Sequence, residues 1–216
     1  MIRLNDVSLV INKTKILENI SFHVQKGEFV KLFGPSGAGK STILKLIHFD
    51  LIPTAGSVVV QNIDTRNVVQ SKIPYLRRSI GFIFQDYKLL KDKTAYDNVA
   101  FALEVTGVKR RTVKQKALQA LNTVGMSHRL NHQPVDLSGG ECQRVAIARA
   151  IVLEPFILLA DEPTGNLDDD NARSIFNLLE NINHSGTAVL MATHRNELAG
   201  SGLGRKIEIA NGIMCG

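Results

Sequence analysis

Apolar residues recur at two different spacings along this chain, and the change of spacing divides it into three parts. In the first part, alternating or continuous apolar positions predict strands, and the third of these leads directly into Gly34. The predicted strands are "IRLNDVSLV" (2–10), "ENISFHV" (18–24), "EFVKLF" (28–33), "SVVVQN" (57–62) and "SIGFIF" (79–84). After the third, helical spacing in "STILKLIHF" predicts a helix that begins at Lys40.

The middle of the chain, between Gln85 and Pro134, has helical spacing instead. Candidate helices are "TAYDNVAFALEV" (94–105) and "RTVKQKALQALNTVG" (111–125), the second closed by Gly125. From Pro155 the chain returns to alternating strands and helices: "FILLAD" (156–161), "DDNARSIFNLLENIN" (169–183) and "TAVLMAT" (187–193). An Asn-Gly hairpin is predicted within "KIEIANGIM" (206–214). The pattern predicts an α/β domain with a helical insertion.

Composition narrows the function classes. The 216 residues are 44% hydrophobic and 21% charged, as expected for a globular domain and not for a disordered one. A net charge of +6 indicates an anionic partner, which leaves nucleotide, nucleic acid and acidic membrane surface open. Part of the excess lies in "VKRRTVKQK" (108–116), either a solvated helix face or a basic face toward lipid or nucleic acid.

Cysteine usage and apolar run length bear on the location. Cys142 and Cys215 lack metal-ligand spacing and make a poor disulfide framework, which favours a reducing cytosol. The opening "MIRLNDVSLV" does not resemble a signal peptide, and no apolar run reaches bilayer length. We therefore expect another chain to span any membrane that this protein serves.

The stretch "GPSGAGKS" (34–41) fits the phosphate-binding pattern G-x-x-x-x-G-K-[ST] between a predicted strand and a predicted helix. Its glycines let backbone N–H groups close around phosphates, Lys40 reaches the β and γ phosphates, and the Ser41 hydroxyl ligates Mg²⁺. A chance match on a surface turn is the alternative. The candidate ATP-binding residues are Gly34, Pro35, Ser36, Gly37, Ala38, Gly39, Lys40, Ser41, Thr42 and Gln85.

Two carboxylates end the apolar run "FILLADEP" (156–163), which has the form of a strand buried on both faces. Parallel sheets bind ligands at the carboxyl ends of their strands. We expect Asp161 to hold Mg²⁺, directly or through water, and Glu162 to be the general base that polarises the attacking water. The alternative is that both acids belong to a turn or cap a helix.

Two further polar residues follow predicted buried strands. His194 comes after "TAVLMAT" and is expected to contact the γ-phosphate as a catalytic residue, and Gln85 comes after "IGFIF" and offers an amide oxygen to Mg²⁺ or water. A structural role is the alternative for each. The predicted metal ligands are Ser41, Gln85 and Asp161.

A second candidate phosphate cradle lies in "LSGGECQRVAIARA" (137–150). Ser138 and Glu141 have capping-box spacing, so a well-started helix is one interpretation. That interpretation does not explain Gly139 and Gly140, because glycines in a first helical turn cost entropy and add no packing. Bare backbone at a helix N-terminus predicts an anion site, although one nucleotide needs only one cradle.

The chain resembles the ATPase subunits of ABC systems in the order of its motifs: "GPSGAGKS", Gln85, "LSGGE", "ILLADEP", "NLD" (166–168) and "ATH" (192–194). The resemblance covers essentially the whole chain, and the motifs are jointly specific. It implies an α/β P-loop core (1–85 and 151–216) with an N-terminal antiparallel β subdomain and an inserted α-helical subdomain (86–150), together forming one ABC ATPase domain (1–216).

Subunits of this family pair head to tail around ATP, and this explains the second cradle. By the resemblance, Ser138, Gly139, Gly140 and Glu141 bind the nucleotide held by the partner's Lys40. The residues Asn166, Leu167 and Asp168 then communicate between the subunits of the homodimer. The resemblance implies that ATP is the substrate and Mg²⁺ the cofactor.

Within the family, "ADEPTGNLD" resembles the branch of cell-division, lipoprotein-export and macrolide-export ATPases. The segment "LRRSIGFIFQDYKLLKDKTAYDNVAFALEV" (76–105) is most similar to the cell-division type, which acts with an integral membrane partner on septal cell-wall hydrolysis. The resemblance implies a peripheral protein on the cytoplasmic face of the plasma membrane, with no direct nucleic-acid partner. An exporter subunit and a soluble nucleic-acid-associated ABC ATPase are the alternatives.

We also predict a docking groove beside Gln85, lined by parts of "DYKLLKDKTAYDN" (86–98), for a short cytoplasmic helix of the membrane partner. The reason is positional: Gln85 can sense the γ-phosphate, and the segment after it leads directly into the helical subdomain that carries Ser138. Tyr87, Leu89 and Leu90 are its candidate apolar anchors, and membership of the core is the alternative.

The chain departs from the family pattern in three places. Ile11 stands where an adenine-stacking aromatic is usual, so base selectivity is open. Cys142 replaces the usual glutamine, and "GSGLGRK" (200–206) differs after the histidine.

Overall fold

A computed structural model describes residues 1–195 and 204–215, so residues 200–203 of "GSGLGRK" lie outside the described residues. The described strands are β1 (Ile2–Ile11), β2 (Thr14–Val24), β3 (Phe29–Phe33), β4 (Ala55–Val60), β5 (Ile63–Asp64), β6 (Ile80–Ile83), β7 (Ile157–Asp161), β8 (Ala188–Thr193), β9 (Arg205–Ala210) and β10 (Ile213–Cys215). The described α-helices are α1 (Lys40–Ile47), α2 (Ile73–Arg77), α3 (Ala95–Glu104), α4 (Arg110–Thr123), α5 (Gly139–Ile151) and α6 (Asp169–His184).

These elements form two sheets. An antiparallel sheet has the order β2-β1-β4-β5, and a six-stranded sheet has the order β10-β9-β3-β8-β7-β6. In the larger sheet, β9, β3, β8, β7 and β6 run parallel, and β10 pairs antiparallel with β9. The predicted fold class is confirmed: a parallel P-loop core joined to an N-terminal antiparallel β layer.

The two faces of the larger sheet bury different sets of side chains. On one face, α1 and the antiparallel sheet pack over Val30 and Leu32. On the other face, α5 and α6 pack over Phe29, whose ring meets Phe176 edge-on at 5.8 Å. Burying each large aliphatic side chain contributes about 1.5–3 kcal/mol. This two-sided burial explains why β7 and β8 are apolar up to their last residues, which are Asp161 and Thr193.

Helix starts and stops follow the sequence signals. Helix α3 begins with a capping box between Thr94 and Asp97. Helix α4 ends before Gly125, which has a left-handed φ of +76°, a conformation that glycine adopts at no steric cost because it has no Cβ. The hairpin predicted at Asn211 and Gly212 joins β9 to β10, with φ of +50° and +77°. Helix α4 exposes Arg110, Arg111 and Lys114, so this part of the basic run is accessible both to solvent and to an anionic partner.

Helices α3, α4 and α5 pack on one another, and α5 also contacts β6 and α6. The helical subdomain that we propose for residues 86–150 holds α3, α4 and all of α5 except Ile151. None of the described helices is long and apolar enough to cross a membrane.

Candidate functional site

Four strand ends meet at one edge of the larger sheet. Gly34 follows β3, Asp161 ends β7, His194 follows β8, and Gln85 lies two residues after β6. A cavity of about 410 Å³ opens at this edge, lined by Ile16, Ser36, Gly37, Ala38, Gly39, Lys40, Ser41, Thr42, Gln85, Glu162 and His194. The structure therefore brings together most of the predicted catalytic and ATP-binding residues, although they come from four separate segments, whereas the lining does not include Gly34, Pro35 or Asp161.

The loop from Gly34 to Gly39 depends on glycine at two positions. Gly39 caps α1 with a left-handed φ of +101° and no side-chain hydrogen bond, so the first N–H groups of α1 stay open toward the cavity. A Cβ on Gly34 would overlap the carbonyl oxygen of Ile209. Bulkier residues at either position would move the loop away from its phosphate-binding shape.

Lys40 is buried and its ammonium is held by several oxygens. Nζ donates to the carbonyl oxygens of Gly34 at 2.8 Å and Pro35 at 3.0 Å, and lies 3.3 Å from Oε1 of Glu162. The burial of a charged group is tolerated because it is paired and hydrogen-bonded. The side chain is thus fixed at the mouth of the loop, facing the Glu162 carboxylate.

The Ser41 hydroxyl donates a hydrogen bond of 2.7 Å to Oδ1 of Asp161, which joins the P-loop to the end of β7. Burial raises the pKa of Asp161 above its ordinary value, an effect that this hydrogen bond opposes. Within the described residues, no cluster of three or more His, Cys, Asp or Glu side chains could hold a metal ion. The available donor set is one hydroxyl, one carboxylate and the amide of Gln85.

Glu162 follows β7 in a backbone conformation that is rare for its residue type. Its φ is +47°, and its N–H donates to the carbonyl oxygen of Ala192 at 3.0 Å. Oε2 accepts hydrogen bonds from the backbone N–H of His194 at 3.3 Å and lies 2.9 Å from its Nδ1. The strained turn aims the carboxylate between Lys40 and His194, and strain of this kind concentrates at functional sites.

The loop after Gln85 is tied to α5 by an arginine that sequence reasoning missed. Arg149 donates from Nη2 to the carbonyl oxygen of Tyr87 at 2.7 Å and from Nη1 to that of Lys88 at 2.6 Å. Tyr87 and Lys88 both have left-handed φ, at +58° and +47°. The Asn166 amide also donates to the carbonyl oxygen of Gln85 at 3.3 Å. No local signal marks Arg149, because its partners are distant in sequence.

The predicted capping box is present at the start of α5. Ser138 Oγ accepts from the N–H of Glu141 at 3.2 Å, and Glu141 Oε2 accepts from the N–H of Ser138 at 2.9 Å. The two glycines have a packing reason that the sequence argument lacked. A Cβ on Gly140 would lie 2.8 Å from Oδ1 of Asn171, and one on Gly139 would lie 3.2 Å from the Tyr87 hydroxyl. An anion site is therefore not needed to explain them, although it remains compatible with them.

The turn at the start of α5, formed by Ser138, Gly139 and Gly140 and called the signature turn below, shares no cavity with the loop from Gly34 to Gly39 among the described residues. Among the described residues, those lining the nucleotide cavity include neither Ser138 nor Gly139, both of which are exposed. A nucleotide bound by this turn must therefore be held elsewhere than at the chain's own Lys40.

The segment "NLD" (166–168) lies between the end of β7 and the start of α6. Leu167 is buried, and Asp168 caps α6 by accepting from the N–H of Asn171 at 2.9 Å. Hydrogen bonds from Asn171 hold the pKa of Asp168 below its ordinary value.

The residue available to contact adenine is a different isoleucine from the one considered in the sequence. Ile16 lines the cavity, whereas the lining does not include Ile11. No sequence signal distinguished these two isoleucines.

A model of the ABC transporter family matches residues 17–165. Proteins named cell division ATP-binding protein FtsE match at 48% identity in Streptococcus pneumoniae (93% of this chain, 87% of the relative), 50% in Mycobacterium tuberculosis (92% and 86%) and 44% in Escherichia coli (100% and 98%).

Solved structures agree with these sequence matches. A dimeric ATP-binding cassette in a post-hydrolysis state, bound to ADP and phosphate, superposes with a TM-score of 0.89 at 35% identity, covering 99% of this chain and 96% of that one. A dimeric bacterial ABC transporter cassette superposes equally well, with a TM-score of 0.89, 36% identity and the same coverage. The resemblance found in the sequence motifs is confirmed at the level of the whole chain.

Proposed function

This chain belongs to the ABC transporter family of ATPases, and on that premise we propose that it is the ATPase subunit of a bacterial cell-division complex. Two copies close around ATP and drive an integral membrane partner similar to FtsX, which in this branch serves septal cell-wall remodelling. The relatives named FtsE support this assignment because they match over 92–100% of the chain.

The geometry of Glu162 is the observation that best supports ATP hydrolysis at this edge. Its carboxylate is held by Lys40 on one side and His194 on the other, all three at the cavity. Lys40 positions the γ-phosphate, and Glu162 accepts a proton from the attacking water beside it. The His194 side chain is half exposed and lines the cavity. We assign it to the γ-phosphate of bound ATP.

The oxygen donors at the cavity fit Mg²⁺, which binds to a few protein oxygens while retaining water and substrate phosphate as ligands. The Ser41 hydroxyl and Asp161 share a hydrogen bond of 2.7 Å, Ser41 and Gln85 both line the first cavity, and Gln85 and Asp161 both line a neighbouring cavity. When bound, the ion neutralises charge on the β and γ phosphates. These three residues would hold it.

The signature turn supports a shared, head-to-tail site. Ser138 and Gly139 are exposed at the N-terminus of α5, where a helix favours anions. Because the turn lies outside the chain's own cavity, Ser138, Gly139, Gly140 and Glu141 serve the nucleotide of a second copy. Asn166, Leu167 and Asp168 carry the communication between the two sites.

The membrane partner docks at an apolar groove beside Gln85. A second cavity, of about 340 Å³, is lined by Asp86, Tyr87, Leu89, Lys91, Pro134, Val135 and Cys142. Val135 is 83% exposed, whereas Leu89 packs partly into the core. An amphipathic cytoplasmic helix would bury Val135 and Tyr87 there. The protein itself is then peripheral, on the cytoplasmic face of the plasma membrane.

Affinity purification from detergent-solubilised membranes of the native organism tests the proposal. We expect a four-span membrane protein with a large outer loop to co-purify with the wild-type chain. Recovery of a solute exporter or lipoprotein-release component instead would contradict the cell-division assignment. A purified complex that does not hydrolyse ATP would contradict the assignment as an ATPase.

Two variants locate the docking site. Val135→Asp should abolish co-purification while ATP binding and thermal stability stay unchanged, because its side chain is exposed. A charge at Leu89 or Leu90 is less diagnostic, since Leu89 contacts the core and Leu90 does not line this groove. As the matched control, Val105→Asp replaces a valine that is 57% exposed at the end of α3 and does not line this groove.

A further inference from the structure

Arg195, the residue after His194, connects the histidine to the segment that precedes α6. Its Nη2 donates to the carbonyl oxygen of Leu167 at 2.6 Å, and its Nη1 lies 3.0 Å from Oδ1 of Asp169. The Arg195 side chain is only 23% exposed, whereas that of Asp169 is 84% exposed. An exposed ion pair is worth little, so the hydrogen bond to the Leu167 carbonyl is the stronger constraint.

Leu167 in turn contacts the signature turn. Its side chain is buried, and a Cβ placed on Gly139 would lie 3.4 Å from its Cδ2. One helical turn later, Asn171 lies against Gly140. The segment held by Arg195 is therefore packed directly on both glycines of the signature turn, with no room for a larger residue at Gly140.

We infer that Arg195 is a positioning residue, through which the histidine at one nucleotide controls the signature turn that binds the other. The inference rests on the proposed head-to-tail dimer, because only there do the chain's own cavity and its signature turn serve different nucleotides. His194 and Arg195 are adjacent, so a displacement of the histidine toward a γ-phosphate moves the guanidinium. The planar guanidinium passes that displacement to Leu167, and Leu167 passes it to Gly139.

The test separates nucleotide binding by one subunit from closure of two. Arg195→Ala and Arg195→Lys are placed in a Glu162→Gln chain, where ATP persists. Light scattering then measures the ATP concentration for half-maximal dimerisation, and a fluorescent ATP analogue measures binding to dilute, monomeric subunits. Arg195→Ala should raise the first value about tenfold, the loss of one or two charge-assisted hydrogen bonds, and change the second less than twofold.

Arg195→Lys should restore part of the loss, because an ammonium can reach the Leu167 carbonyl but cannot bind Asp169 at the same time. Asp169→Asn should behave like the parent chain, since it leaves the carbonyl bond in place. Arg205→Ala is the matched control: its guanidinium also binds one carboxylate, Glu28, at 2.8 Å and one carbonyl oxygen, of His23, at 2.6 Å. Arg205 begins β9, at the opposite edge of the sheet.

The outcomes are distinct. If Arg195→Ala shifts dimerisation no more than Arg205→Ala, Arg195 has no positioning role. If dimerisation, monomer binding and the melting temperature fall together, its role is merely structural. If the Glu162→Gln parent fails to dimerise with ATP, the proposed dimer is wrong and the inference fails with it, whereas a parent that dimerises normally confines any failure to Arg195.

Discussion

The carboxylate of Glu162 lies 3.3 Å from the ammonium of Lys40, and its other oxygen lies 2.9 Å from Nδ1 of His194. Each carboxylate oxygen therefore has its own neighbour, and the group cannot rotate without losing both. The residue proposed as the base is held rigidly at the cavity by two residues that we assign to the γ-phosphate. Preorganisation of this kind lowers the cost of aligning groups during the reaction.

Replacing Glu162 by Gln should leave ATP binding intact and reduce hydrolysis by about 10²- to 10⁴-fold, because the amide keeps the shape but cannot accept a proton. ATP should then hold the dimer closed. Phosphate release and light scattering with ATP and Mg²⁺ measure the two effects. Glu154→Gln is the control, since Glu154 is an exposed glutamate paired with Lys116 outside the cavity. An unchanged turnover rate in Glu162→Gln would remove Glu162 from the base role.

Each composite site should require Lys40 from one subunit and Ser138 from the other. Lys40→Ala and Ser138→Arg chains should each be inactive alone, whereas a mixture should regain one intact site in each mixed dimer. ATPase activity across mixing ratios tests this. A mixture as inactive as its parents argues against sharing between subunits, unless hydrolysis demands two intact sites. Counting trapped nucleotides per dimer then distinguishes the two cases.

The fold should lose the stabilisation that the capping box of α5 provides when the pH is lowered. Hydrogen bonds from Ser138 and the nearby Arg129 guanidinium hold the pKa of Glu141 below its ordinary value of 4.5. Ionised Glu141 thus stabilises the fold above that pH, and its contribution is lost as the pH falls through the lowered pKa. Near pH 7, Glu141→Gln should lower the free energy of unfolding by about 0.5–1 kcal/mol.

Denaturant unfolding at a series of pH values measures this effect. The free energies of unfolding of the two proteins should converge only as the pH falls through the lowered pKa of Glu141, because below that pKa the carboxyl is neutral in the folded protein as well. Glu104→Gln serves as the control, because Glu104 is exposed and the described residues give its side chain no hydrogen bond or ion pair. A difference between wild type and Glu141→Gln that persists at low pH would show that charge is not the cause.

Base selectivity should be weak. Ile16 lines the nucleotide cavity and offers only aliphatic contact, whereas an aromatic ring would add stacking worth about 0.5–1.5 kcal/mol. GTP should therefore compete with ATP within roughly tenfold. Competition binding to the Glu162→Gln chain measures the ratio. A strong ATP preference would mean that an aromatic residue elsewhere contacts the base.

The sequence predicted the elements of the fold well but few of the contacts between them. Strand β7 and the loop from Gly34 were predictable because burial on both faces and phosphate binding leave local patterns. The packing of Gly140 against Asn171 was not, since the two residues meet only after α5 and α6 pack together. Periodicity likewise gives no sign that β9 lies next to β3.

The same limit applies to the candidate site. Residues inside motifs, such as Lys40 and Asp161, were predicted as site residues, whereas their contacts with Glu162 and Ser41 were not. Arg149 and Arg195 were not predicted at all, because each donates to a backbone carbonyl oxygen. Every residue of the chain has such an acceptor, so the sequence gives no sign of which one an arginine will bind. Ile16 was missed because a lone isoleucine in a strand has no feature that separates lining a cavity from filling a core.

The left-handed backbone at Glu162 also sets a limit on how heat-tolerant this protein can become. A non-glycine residue held at a φ of +47° costs about 1–3 kcal/mol. Glycine there would relieve that strain but would remove the carboxylate, so the more stable protein would not hydrolyse ATP. Selection for survival at high temperature and selection for turnover thus pull this residue in opposite directions. A lineage adapting to heat must find its gains elsewhere, such as the exposed arginines that begin α4 against the helix dipole.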